Sequence, residues 1–108
     1  MSYKIELTPN FKKEAKKLIK RYVSLRTEIA DLGKELAENP KIGTHLGNDV
    51  YKIRIAIASK NKGKSGGARI ISFVKIIDDT VFLLSIYSKS ETDTISDKEI
   101  EELLKGYS

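Results

Sequence analysis

With 108 residues, 40% of them hydrophobic, and no cysteine, the chain is sized for one core over residues 1–108 that needs no metal or disulfide, and thiol chemistry and thiolate metal sites are excluded. No stretch of about 18 apolar residues could span a bilayer and no apolar leader is visible, so a soluble, cytoplasmic protein with no membrane partner is expected. The net charge of +5 is unevenly spread: residues 1–26 carry +6, 27–49 carry −3, 50–77 carry +7 with no acid at all, and 78–108 carry −5. A carboxylate-free stretch of 28 residues suits a polyanionic partner, because cations held near phosphates release condensed counterions. A solvated basic face is the plainer alternative.

Ser2-Tyr3-Lys4-Ile5-Glu6-Leu7 alternates polar and apolar and predicts a strand with Tyr3, Ile5 and Leu7 on one face. Thr8-Pro9 stops it and supplies a helix cap and a first helical residue. Phe11, Ala15, Leu18 and Tyr22 then form one apolar stripe, opposite Lys12, Lys13, Lys16, Lys17, Lys20 and Arg21. A second stripe, Leu25, Ile29, Leu32 and Leu36, ends before Asn39-Pro40, where proline disfavours continuation. The short link at Val23-Ser24 predicts an antiparallel helical hairpin.

The glycines and His45 between residues 41 and 49 read as a connecting loop, and a lone histidine without partners at ligand spacing is not expected to bind metal or catalyse. Residues 50–58 alternate, with Tyr51, Ile53, Ile55 and Ile57 facing one way and Lys52, Arg54 and Ala56 the other, the pattern of a half-buried strand with a cationic outer face. Lys60-Asn61-Lys62-Gly63-Lys64-Ser65-Gly66-Gly67 contains Gly-Lys-Ser. The position where a phosphate-binding loop needs its first glycine is Ala58, and a strand follows instead of a helix, so a nucleotide site is rejected in favour of a basic loop beside the sheet.

Residues 68–77 and 81–89 are rich in β-branched and aromatic side chains and flank Asp78-Asp79-Thr80, which predicts a hairpin. A two-residue turn would set Arg69 opposite Ser88. The favoured three-residue turn sets it opposite Lys89, gathers Ile70, Val74, Ile76, Phe82, Leu84 and Ile86 beneath the helices, and leaves Arg69, Phe73, Lys75, Ser85, Tyr87 and Lys89 on the other face. Ser96 and Glu99 form a capping box and Ile95 staples onto Ile100, which starts a short acidic helix ending near Gly106. The expected architecture is α+β: a twisted, mostly antiparallel sheet of four strands, with the helices on one face.

Three segments also resemble known toxins. Val50-Tyr51-Lys52-Ile53-Arg54, Lys64-Ser65-Gly66-Gly67-Ala68-Arg69-Ile70-Ile71 and Leu83-Leu84-Ser85-Ile86-Tyr87-Ser88-Lys89-Ser90-Glu91 are similar to the RelE/HigB toxins, most of all to the HigB branch with its Lys-Ser-Gly-Gly-x-Arg loop. The resemblance implies a RelE-like fold and a toxin of a type II toxin–antitoxin pair that cleaves messenger RNA on the ribosome. It places Lys52 and Arg54 as the basic pair of the second strand, Arg69 as the arginine opening the third, and Lys89 where the family often has arginine near the end of the fourth. The C-terminal tyrosine that stacks on a base in RelE-type members has no counterpart here, and Tyr87 is the candidate substitute.

Cleavage through the ribose 2′-hydroxyl needs a proton removed, added negative charge stabilised and a leaving oxygen protonated, with no cofactor. Arg54 and Arg69 are the candidates to hold the phosphate, Lys52 or else Glu91 the base, and Lys89 the acid. Lys60, Lys62 and Lys64 would grip backbone phosphates without reading sequence. The competing readings are a ParE-like inhibitor of DNA gyrase and a non-catalytic module that binds RNA or the ribosome. The implied partners are messenger RNA on the ribosome and a cognate antitoxin, which would cover the basic face or displace residues 96–106; operator DNA would be reached only through the antitoxin complex.

Overall fold

In the computed structural model, which describes residues 2–60, 66–90 and 94–108, the elements run β1 (Lys4–Leu7), α1 (Pro9–Arg21), α2 (Leu25–Glu38), β2 (Thr44–Gly47), β3 (Val50–Ile55), β4 (Ala68–Lys75), β5 (Thr80–Ser88) and α3 (Asp97–Leu104). The strands form one mixed sheet in the order β1-β5-β4-β3-β2, with β1 parallel to β5 and the remaining pairs antiparallel. The α+β class stands, but the sheet has five strands where the sequence suggested four. The extra one is β2, in the segment that reads as a loop. Its hairpin to β3 turns through Asn48 and Asp49, whose φ values of 53° and 62° are the positive pair that a two-residue type I′ turn demands.

Thr8 caps α1 by accepting the Phe11 N–H, with Pro9 at the first helical position. Phe11, Ala15 and Leu18 of α1 and Leu25, Leu32 and Leu36 of α2 are buried against Ile53, Ile55, Ile70, Val74, Val81, Leu83 and Ile86 of the sheet. This is the larger core, and it forms because one helix stripe and every second strand residue face each other.

A second, smaller core lies on the opposite face. There Val50, Ile71, Phe73, Leu84 and Tyr87 meet Ile100 of α3, with Phe82, Ile95, Leu103, Leu104 and Tyr107 packed around them. The expectation that all helices share one face is therefore corrected. α3 begins at the foreseen capping box, with the Ser96 hydroxyl accepting from Glu99 N–H and the Glu99 carboxylate accepting from Ser96 N–H, a cap that contributes on the order of 1 kcal/mol. Tyr107 closes it down by packing on Phe82, ring centroids 4.9 Å apart.

The β4–β5 register also differs from either turn considered. The connection contains a 3₁₀ turn (Ile76–Asp78) and pairs Lys75 with Thr80. The ladder then shifts between Ile71 and Ser72, because Ser72 pairs with Leu83 while Ile71 pairs with Ser85. Leu84 is thus the extra residue of a β-bulge. As a result Phe82 and Leu84 pack on the α3 face, Ile76 is exposed in the turn, and Arg69 lies opposite Tyr87, not Lys89.

Ile100 is the one α3 residue that is buried, 8% exposed. Ile100→Ala should remove about 2–4 kcal/mol of packing, and the loss should fall on α3. Hydrogen exchange should speed up over residues 97–104 while β4 amides stay protected; equal acceleration in β4 would show that α3 unfolds only with the sheet.

Candidate nucleic-acid interface

On the α3 face of the sheet, one rung of the ladder carries Arg54, Arg69 and Tyr87 directly opposite one another across β3, β4 and β5. Neighbouring strands are about 4.8 Å apart, so the three Cα atoms span about 10 Å. Lys52 sits two residues before Arg54 on the same face, opposite Ile71. Beyond β5 the ladder continues for one residue, the Lys89 N–H donating to the Gly67 carbonyl at 3.0 Å, so alternation carries Lys89 to the Tyr87 face. Four cations and one tyrosine therefore occupy three successive rungs beside the area covered by α3.

Their accessibilities differ. Arg54 is exposed and Lys52 and Lys89 are half-buried, whereas Arg69 is only 5% exposed and Tyr87 8%. Arg69 donates from Nη1 to the Ala68 carbonyl at 3.2 Å. The Tyr87 ring belongs to the apolar cluster with Ile71 and Leu84, so in this arrangement it floors the site and does not offer a free face for base stacking. Of the lysines in the basic loop, Lys60 ends a 3₁₀ turn (Ala58–Lys60). Lys62, Lys64 and the alternative base Glu91 lie outside the described residues. The stem of that loop is anchored to the start of α2: Glu28 accepts the Ala58 N–H at 2.7 Å, and the Ser24 hydroxyl accepts the Ser59 N–H at 2.9 Å.

Two residues that shape the site carry no obvious signal in the sequence. Gly67, where β4 begins, has no room for a side chain, because a Cβ there would collide with the Ile55 carbonyl oxygen and meet Ala56 Cα at 3.1 Å. The close approach lies just beyond the cationic rung, at the end of β3. Glu14 of α1 accepts from the Ser85 hydroxyl at 2.7 Å and from the Ile86 N–H at 3.3 Å, beside the bulge. A lone carboxylate in a lysine-rich helix, four residues after Asn10, was the available clue.

A groove of about 510 Å³ lies in the other layer, between α1 and α2. It has Leu7, Phe11, Ala15, Ile19 and Ile29 along it, and Lys12, Lys16, Lys20 and Arg26 among its lining. Among the described residues no group of His, Asp and Glu is placed to hold a metal ion, and no helix is long and apolar enough to cross a membrane.

A family model described as the RelE toxin of the RelE / RelB toxin–antitoxin system matches residues 3–106. The chain belongs to the RelE toxin family. Solved structures agree on the fold. A mutant of the Escherichia coli toxin RelE in the free state is 22% identical and superposes with a TM-score of 0.67, each chain covered over 100%. The intact E. coli RelBE toxin–antitoxin complex gives 25% identity and a TM-score of 0.62, over 79% of this chain and 94% of that one. The RelBE2 toxin–antitoxin complex of Mycobacterium tuberculosis gives 16% and 0.62, over 82% and 99%. This RelE-family chain is thus a toxin of a toxin–antitoxin system by family.

Gly67→Ala should cost about 1–3 kcal/mol, since backbone has to part to admit the methyl group. Urea denaturation reads this directly. A midpoint equal to that of the parent protein would show that β3 and β4 do not approach so closely in solution.

Proposed function

We propose that this toxin is a cytoplasmic endoribonuclease that cuts messenger RNA on the ribosome, using the cationic rungs of its sheet. The observation that carries the reading is the Arg54–Arg69 pair, two arginines opposite each other on adjacent strands with Lys52 and Lys89 on the neighbouring rungs. A bent sugar-phosphate link bound across this rung would lie within reach of several donors, and planar guanidiniums suit its oxygens.

In the proposed reaction the ribose 2′-oxygen attacks the adjacent phosphorus and the 5′-oxygen departs, giving a 2′,3′-cyclic phosphate and a 5′-hydroxyl end. Lys52 takes the 2′-hydroxyl proton and Lys89 gives a proton to the leaving oxygen. Arg54, exposed on the face, meets the phosphate first. Arg69, only 5% exposed, stabilises the charge added in the transition state. Tyr87 supports the rung from below. Lys60, Lys62 and Lys64 hold flanking phosphates.

The proposed protein partner is a cognate antitoxin, as in the RelBE complexes that the chain resembles. An antitoxin helix with one apolar and one acidic side suits the groove between α1 and α2, whose lining includes four cations and no acid. Operator DNA would be engaged only through such a complex.

Arg54→Ala and Arg69→Ala should each lower ribosome-dependent cleavage about 100-fold or more, the usual loss when one donor to a transition-state oxyanion is removed. Primer extension on messages from expressing cells, read alongside translation arrest, is the measurement. Undiminished cuts in Arg69→Ala would remove Arg69 from the site. Intact messages with DNA damage in the parent protein would point instead to an inhibitor of gyrase, and intact messages without damage to a binding module.

A further inference from the structure

We infer that Glu14, on the helical layer away from the cationic face, is the positioning residue that assigns Tyr87 and Lys89 to that face. β5 alternates strictly from Val81 to Leu84: Val81 and Leu83 enter the larger core, Phe82 and Leu84 the smaller. Unbroken alternation would then send Ile86 to the α3 face and Tyr87 and Lys89 towards the helices. The opposite is found, with Ile86 in the larger core and Tyr87 in the smaller. The single extra residue at Leu84 makes the difference.

A bulge leaves ladder groups unpaired and needs something to hold it. β1 pairs with β5 only as far as Leu7 opposite Leu83, so from Leu84 onward the outer edge of β5 has no strand beside it. The first turns of α1 take its place. The Thr8 hydroxyl donates to the Leu83 carbonyl at 2.9 Å, and the Asn10 amide donates to the Leu84 carbonyl at 2.9 Å and to Glu14 Oε1 at 2.9 Å. Glu14 Oε1 then accepts from both the Ser85 hydroxyl and the Ile86 N–H. Thr8 and Asn10 contact carbonyls at and before the extra residue. Glu14 alone of the three accepts donors after it, so it is the group that ties the shifted half of β5 in its new register.

The structural half of this inference is independent of the proposed activity, and its functional half rests on that reading of the face. The test is Glu14→Ala in the full chain, with cross-strand NMR contacts as the register readout. Contacts of Arg69 with Tyr87 and Ile70 with Ile86 should be lost or scattered, while Phe73–Phe82 and Val74–Val81, on the turn side of the bulge, persist. Glu14→Gln should restore them in large part, since an amide oxygen still accepts two hydrogen bonds. Should Glu14→Ala fail to fold, Ser85→Ala, which removes one of the two donors, serves in its place.

Cleavage assays on the same variants separate the two halves. Lys52, Arg54 and Arg69 stay in place on β3 and β4, so KM should change little. kcat should fall about 100-fold, as expected when reacting groups are displaced by an ångström or more, and recover in Glu14→Gln. Native contacts in Glu14→Ala would overturn the inference whatever the activity. Lost register with unchanged cleavage would leave the hold of Glu14 on the bulge standing and overturn the assignment of Tyr87 and Lys89 to the RNA site.

Discussion

The strand β5 has to serve two cores at once, and a strict two-residue period cannot do it. Its first half places Val81 and Leu83 beneath the helices, and its second half must place Ile86 there while presenting Tyr87 on the reverse side. One added residue, Leu84, reconciles these demands, and the clamp from Thr8, Asn10 and Glu14 satisfies the edge that the bulge and the end of β1 leave open. The cost of an unsatisfied backbone group away from water is comparable to a lost hydrogen bond. The N-terminal turns of α1 are therefore as much a part of the sheet as β1 is.

The β5 side of the opposite face follows from that adjustment. With Tyr87 turned towards α3, the rung opposite Arg69 and Arg54 is completed by an aromatic ring that packs on Ile71 and Leu84. Two arginines stand opposite each other on adjacent strands, at positions where β-branched apolar residues would suit a sheet better. A rule of sheet construction is broken at this rung of the ladder, where arginines of β3 and β4 stand opposite each other. Local violations of this kind concentrate at functional sites.

The parts of this architecture that depend on short-range chemistry were legible in the sequence. Thr8-Pro9, the stripes of α1 and α2, the alternation of β3 and the Ser96–Glu99 box all encode their structure within a few residues, and each appears where the pattern puts it. β2 was not legible, because Thr44, His45 and Leu46 are all exposed and so show no alternation. Nor was the register of β5, which is fixed by a carboxylate about 70 positions earlier in the chain. The candidate cations could be assigned to strands but not to depths. Arg69 reads as a surface charge, yet it is withdrawn almost completely.

The face that carries the cations also carries α3, and the two claims on it are of different strength. α3 has eight residues with one of them buried, well below the length at which a helix is stable by itself, so its position rests on the cap at Ser96 and on apolar contacts around Ile100 and Tyr107. The segment from residue 78 onward carries −5 against the +7 of residues 50–77. An acidic, lightly anchored helix thus shares the sheet face with the basic rung: it docks beside Val50 at the turn between β2 and β3, two rungs along β3 from Arg54.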